Sequence, residues 1–165
     1  MTKNRGFSLI ELLIVVAIIL IIAAIAIPNL LRARIAANES SAAASVRTLH
    51  TAEASYKISY PDVGYAADIA TLGGPTPCVA GSAAACLVDD QLAAGAKSGY
   101  TFSALSSGGA VPSDAFIVNA IPISTSTGIK AFCGTEDIVI RFKTPAGGAV
   151  DHAACLGNTY FPIGD

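Results

Sequence analysis

From Phe7 to Ile27 the chain reads FSLIELLIVVAIILIIAAIAI, an unbroken apolar run with a single charged position, Glu11. A run of about 20 apolar residues is long enough to cross a bilayer as a helix. Beyond Pro28 the pattern changes but does not stop. Residues 29–60 contain neither Gly nor Pro and are rich in Ala. Ile35, Ala42, Val46, Leu49, Ala52 and Tyr56 recur there at helical spacing, with Arg34, Glu39, Arg47, Glu53 and Lys57 mostly in other directions. His50 is expected on the helix surface. The two patterns predict one helix from Phe7 to about Ser59, apolar all round in its first half and amphipathic in its second, roughly 80 Å long at 1.5 Å per residue. Pro28 lacks a backbone donor and is expected to kink this helix without ending it. The helix is expected to stop before Pro61.

After Pro61 the composition shifts. Residues 61–99 cluster Gly, Pro and Ala, which reads as loop with short helical turns. One such turn is expected at DDQLAAG, with Asp89 as its N-cap. From Tyr100 the period becomes two. YTFSAL, AFIVNAIPI, IKAFC and DIVIRF read as strands, and the last alternates Ile138, Ile140 and Phe142 against Val139, Arg141 and Lys143. Short turns between them predict an antiparallel meander of three or four strands over 100–143. The amphipathic half of the helix would lie across it, with Val46, Leu49 and Tyr56 meeting the Ile138, Ile140, Phe142 face. The fold class is therefore α+β. The tail from Thr144 onward reads as irregular.

Composition narrows the functional classes. Hydrophobic residues make up 53% of the chain and charged residues only 13%, and the formal net charge is −2. No basic surface argues for nucleic acid. The four Cys form an even set behind an export-like segment, which favours disulfides in an oxidising compartment over metal or redox chemistry. A secretory signal peptide would use Lys3 and Arg5 as its positive end, but the apolar run exceeds the usual 7–15 residues and no small-x-small cleavage site follows it. A plain membrane anchor explains the length and leaves Glu11 unexplained, since a carboxylate in such a segment is costly without a partner.

RGFSLIELL resembles the cleavage and methylation site of type IV pilins and type II secretion pseudopilins. The likeness is strong over residues 1 to about 60. It rests on the short basic leader ending in Gly6, on Phe7, on Glu11 four positions later, and on Pro28 where these proteins carry a kinking proline. It implies a leader of residues 1–6 removed by a prepilin peptidase, N-methylation of Phe7, and an apolar half at 7–27 that spans the membrane and later forms a filament core. Residues 28–60 would be the amphipathic half, and 61–165 a globular head in the pilin arrangement of long helix on sheet. Glu11 of one subunit would pair with the Phe7 amine of a neighbour, a buried pair whose best-attested use is to fix register. Many of these helices carry a Gly midway through the apolar half; here Leu20 stands at that point. Lys3 and Arg5 place the N-terminus in the cytoplasm.

Among the three possible cysteine pairings, the sequence-nearest is taken, Cys78 with Cys86 and Cys133 with Cys155. The second encloses a loop like the C-terminal disulfide loop of many type IV pilins. Closing a loop of this size is worth about 3 kcal/mol on the chain-entropy account.

No catalytic constellation appears, so an enzyme is not expected, nor is a cofactor. His152 in DHAAC could be imagined ligating a metal with Asp151 and Cys155, but a solvated His152 beside a disulfide is the simpler reading. The sequon at Asn38 is a weak match. Asp151 and Asp165 are too few for the acidic calcium loop of major pseudopilins, and no metal is expected. The resulting expectation is a structural, homopolymer-forming pilus subunit for adhesion, motility or DNA uptake. It would be held in the inner membrane before assembly and handled by pilus or secretion assembly machinery. The alternatives are a pseudopilin forming a periplasmic pseudopilus and, in a different class, a membrane-anchored periplasmic binding module.

Overall fold

The structure is a computed structural model and describes residues 7–107 and 111–164. The chain falls into two compact units that divide between Arg34 and Ile35. Helix α1 (Leu9–Ser59) supplies residues to both and continues through Pro28. It ends before Pro61, with Tyr60 N–H bonded to the Tyr56 carbonyl.

In the first unit the large apolar side chains from Phe7 to Leu31 are exposed. The second unit buries one stripe of α1, formed by Ala42, Val46, Leu49, Ala52 and Tyr56. This stripe lies in one cluster with Tyr100, Phe102, Phe116, Val118 and Phe132 of the sheet. The apolar period of α1 therefore becomes the helix–sheet interface of an α+β fold.

The sheet has six strands, not three or four, in the order β1-β2-β3-β4-β5-β6 with every pair antiparallel. The strands are β1 (Ala96–Lys97), β2 (Tyr100–Ser107), β3 (Ala115–Pro122), β4 (Ala131–Thr135), β5 (Ile140–Lys143) and β6 (Phe161–Pro162). The two extra strands are the edge pieces β1 and β6. At two residues each they are too short to show an alternation. Three short helices complete the unit, α2 (Ile69–Leu72), α3 (Asp90–Ala93) and α4 (His152–Leu156). Their N-caps Asp68, Asp89 and Asp151 each accept a backbone N–H, from Thr71, Leu92 and Ala154. The tail is thus less irregular than its composition implies.

Strand β3 is buried on both faces. Phe116, Val118 and Ala120 join the helix-side cluster, while Ile117 joins Cys133, Cys155, Tyr160 and Val150 on the other side. Cys133 is bonded to Cys155, which fastens α4 over that second face. Asn119 adds a two-way bond: its Nδ2 donates to the Val150 carbonyl and its Oδ1 accepts Val150 N–H, both at 3.1 Å. Cys78 is bonded to Cys86 at the far end of the 61–99 segment.

Three expectations are corrected here. Ile138 does not share a strand face with Ile140 and Phe142. It sits in the β4–β5 turn at φ 63 and is 67% exposed. The turn is organised by Asp137, whose Oδ1 accepts from Thr135 Oγ1 and Val139 N–H and whose carboxylate pairs with Arg141. His50 is no surface residue. It is 2% exposed, with its ring edge-on to Phe116 and directly over Gly134. Glu53, assigned to the polar side, is fully buried at 0%. One carboxyl oxygen accepts Ala66 N–H at 2.9 Å; the other has no hydrogen-bond partner. Both corrections share a cause. The stripe that α1 buries is wider than its apolar residues alone, because Gly134 and the Ala66 backbone leave room for polar side chains there.

Burial pushes the Glu53 carboxyl up to about 7 from 4.5, and the Ala66 N–H offsets only part of that. Burial pushes His50 the other way, below the ordinary imidazole value. A raised carboxyl pKa favours the fold fully below the unfolded value, and that contribution is lost as pH rises through the folded value. Relative to wild type, Glu53→Gln should gain about 2 kcal/mol of unfolding free energy between about pH 5.5 and about pH 8.5. Urea titrations of the chain in detergent at the two pH values measure this. Equal pH slopes for the two proteins would show that Glu53 ionises freely in the fold.

A Cβ on Gly134 would lie 2.2 Å from His50 Nε2. Gly134→Ala should therefore cost about 1–3 kcal/mol, as overpacking in a core does. Adding His50→Ala should recover part of the loss, and thermal melts of the two variants check both statements.

Candidate assembly site at the N-terminus

Helix α1 begins at Leu9, which makes Ser8 its N-cap and Glu11 its third residue. The Glu11 Oε2 atom accepts Ser8 N–H at 2.9 Å. This is one arm of a capping box, in which a carboxylate three residues into the helix reaches back to the N-cap backbone. The helix start also favours a negative group, because its free N–H groups carry partial positive charge. Glu11 thus has a local partner within its own chain, and S-L-I-E shows the motif in sequence. The reading by family resemblance passed over this local role.

Phe7, Glu11 and Pro28 all lie in the first unit. Phe7 is exposed just ahead of the helix, one residue before the Ser8 N–H that Glu11 holds. Pro28 lies well inside α1. Gly6 lies outside the described residues. Every large apolar side chain between Phe7 and Leu31 offers free surface, and α1 is long and apolar enough to cross a membrane. Contiguous exposed apolar surface of this extent marks a membrane or protein contact. The four cysteines belong to the second unit, where both disulfides hold loops and tail of the head.

His152 Nε2 lies within hydrogen-bond distance of Glu136 at 2.8 Å, at the surface. No group of three or more potential metal-ligating residues occurs among the described residues. The Asn38 side-chain amide is occupied by a bond to the Thr127 carbonyl at 2.9 Å.

Residues 1–27 match the family described as the prokaryotic N-terminal methylation motif. The N-terminal segment is similar to those of type IV pilins. The chain is 52% identical over 54 residues to the type IV major pilin protein PilA of Myxococcus xanthus, across 33% of this chain and 24% of that protein. It is 62% identical over 40 residues to the type IV wide pilus major component PilA4 of Thermus thermophilus, across 24% of this chain and 30% of that one. Matching regions therefore span under a third of either relative. No solved structure matches the chain. The pilin likeness is concentrated in the segment that carries Phe7, Glu11 and Pro28, while the fold of the head stands on its own packing.

Proposed function

We propose that this chain is the structural subunit of a type IV pilus filament, made as a precursor and cut between Gly6 and Phe7. The observation that carries this reading is Glu11, the one charge in an apolar stretch whose large side chains are exposed. Such a surface requires a membrane before assembly and other copies afterwards. In the membrane, Ser8 N–H and the helix start stabilise the carboxylate. In a fibre, the methylated Phe7 amine of a neighbour supplies the counter-charge. Pro28 would kink or locally loosen the helix as subunits pack, and with Leu20 in place of a mid-helix Gly, any melting there depends on Pro28 alone. The peptidase and the assembly machinery of a pilus or secretion system are the expected partners. The inner membrane, with the N-terminus cytoplasmic, is the expected site before assembly, and adhesion, motility and DNA uptake are the uses open to the fibre. Both named relatives are major pilus components, which favours a pilus over a secretion pseudopilus.

Two measurements test this. Mass spectrometry of the mature protein should find an N-terminus at methylated Phe7; a start beyond Ile27 would mean an ordinary signal peptide. Glu11→Ala, as the sole copy in a strain, should be processed and held in the membrane yet give few or no fibres. Leaving a buried partner charge alone costs on the order of 3–5 kcal/mol per subunit. Abundant normal fibres from that variant would remove Glu11 from assembly, and intact surface fibres with failed secretion in a deletion strain would select the pseudopilus.

A further inference from the structure

Two adjoining clefts run between α1 and the β5–β6 edge of the head. One, of about 410 Å³, is lined by Glu39, Arg47, Lys130, Phe132, Phe142 and Ile163 among others. The next, of about 280 Å³, is lined by Arg47, Ile138, Val139, Ile140 and Ile163. Arg47 and Ile163 border both, so the two form one groove, mixed polar and apolar at one end and mainly apolar at the other. Lys130 is already paired with Glu39 at 3.4 Å, while Arg47 has no ion pair among the described residues. Ile138 at its rim is a second sign of function. A β-branched residue in the left-handed region is strained, and here the strain presents an exposed apolar side chain where Gly or Asn would fit the turn at less cost. Strain of this kind is characteristic of functional surfaces.

The opposite character appears at the end of α1. Ile58 is 81% exposed, and Asp62 follows in the exposed turn with no ion pair among the described residues. The corner is held firm. Val63 and Gly64 N–H both bond to the Tyr60 carbonyl, and the Tyr60 ring packs on Tyr56 at 4.9 Å. Ile58 stands eleven residues beyond Arg47, about 16 Å further along the helix axis, so the corner cannot fill its own groove.

We propose that the groove receives the helix-end corner of a second copy of this chain, Ile58 entering beside Ile138 and Ile163 while Asp62 meets Arg47. The inference rests on the filament reading above and adds to it a head-to-head contact. The two patches differ and each copy carries both, so the contact is heterologous. Such a contact propagates along a helical fibre and does not close into a dimer. The apolar part supplies area, and the charge pair supplies orientation and rejects misregistered neighbours.

All four native cysteines are in intrachain disulfides, so introduced thiols react with one another alone. Fibres of an Ile58→Cys/Ile138→Cys variant, oxidised and run on a non-reducing denaturing gel, should give a ladder of covalent oligomers. Each single variant should give none beyond dimer. Independently, Arg47→Glu or Asp62→Arg should lower fibre yield about tenfold, and the two together should restore it to within about threefold. Fibres of the double-cysteine variant that remain monomeric on the gel, or a charge-swap pair no better than its singles, overturn the contact. Wild-type cells that make no fibre at all would instead overturn the filament reading, and the contact with it.

Discussion

The head depends on one strand being buried from both sides. Strand β3 takes the α1 stripe on the face of Phe116, Val118 and Ala120, and the disulfide-fastened tail on the face of Ile117 and Asn119. Neither cover would suffice alone in a unit with few aromatics and no Trp. The helix side is made by apolar area, which has no directional demand. The tail side has little such area of its own, and there the Cys133–Cys155 bond and the two-way Asn119–Val150 link hold the segment in place. The helix side is thus set by hydrophobic period, the tail side by covalent and hydrogen bonds.

The N-terminal segment answers to a different constraint. Its large apolar side chains are exposed on every side of the helix. Such a helix is stable in lipid, where the backbone is satisfied internally, and in the dry core of an assembly. What the segment adds is a carboxylate held at its own N-cap, where lone charge is least expensive.

Much of this was readable from residue order because it rests on period. The long helix and its end before Pro61, the α+β class and the antiparallel meander all follow from spacing, and the DDQLAAG turn from a capping residue. The N-terminal motif was legible because RGFSLIELL fixes several positions at once. What escaped the pattern was tertiary. Strands β1 and β6 exist because a longer neighbour offers free backbone groups, which no two-residue alternation can show. Ile138 looked like a strand residue because DIVIRF alternates, but Asp137 gathers Thr135, Val139 and Arg141 around its own carboxylate, and the strand begins at Ile140, three residues later than the pattern implies. His50 looked exposed because His is polar, and only the missing side chain at Gly134, in a strand far along the chain, makes space for it. The Ser8–Glu11 cap was visible as S-x-x-E and was hidden by the stronger meaning that the family motif gives to the same glutamate.

Glu11 and Glu53 show why a carboxylate in apolar surroundings cannot be read by composition alone. Both sit on α1, and each accepts a backbone N–H, from Ser8 and from Ala66. Their surroundings then separate them. Glu11 is exposed at a helix start, where it accepts Ser8 N–H. Glu53 is enclosed mid-helix with one oxygen unpartnered and no cation among its influences, so the proton is its least costly partner. One glutamate stands open at the helix start, and the other is closed into the core. The difference lies in helix position and in what packs above.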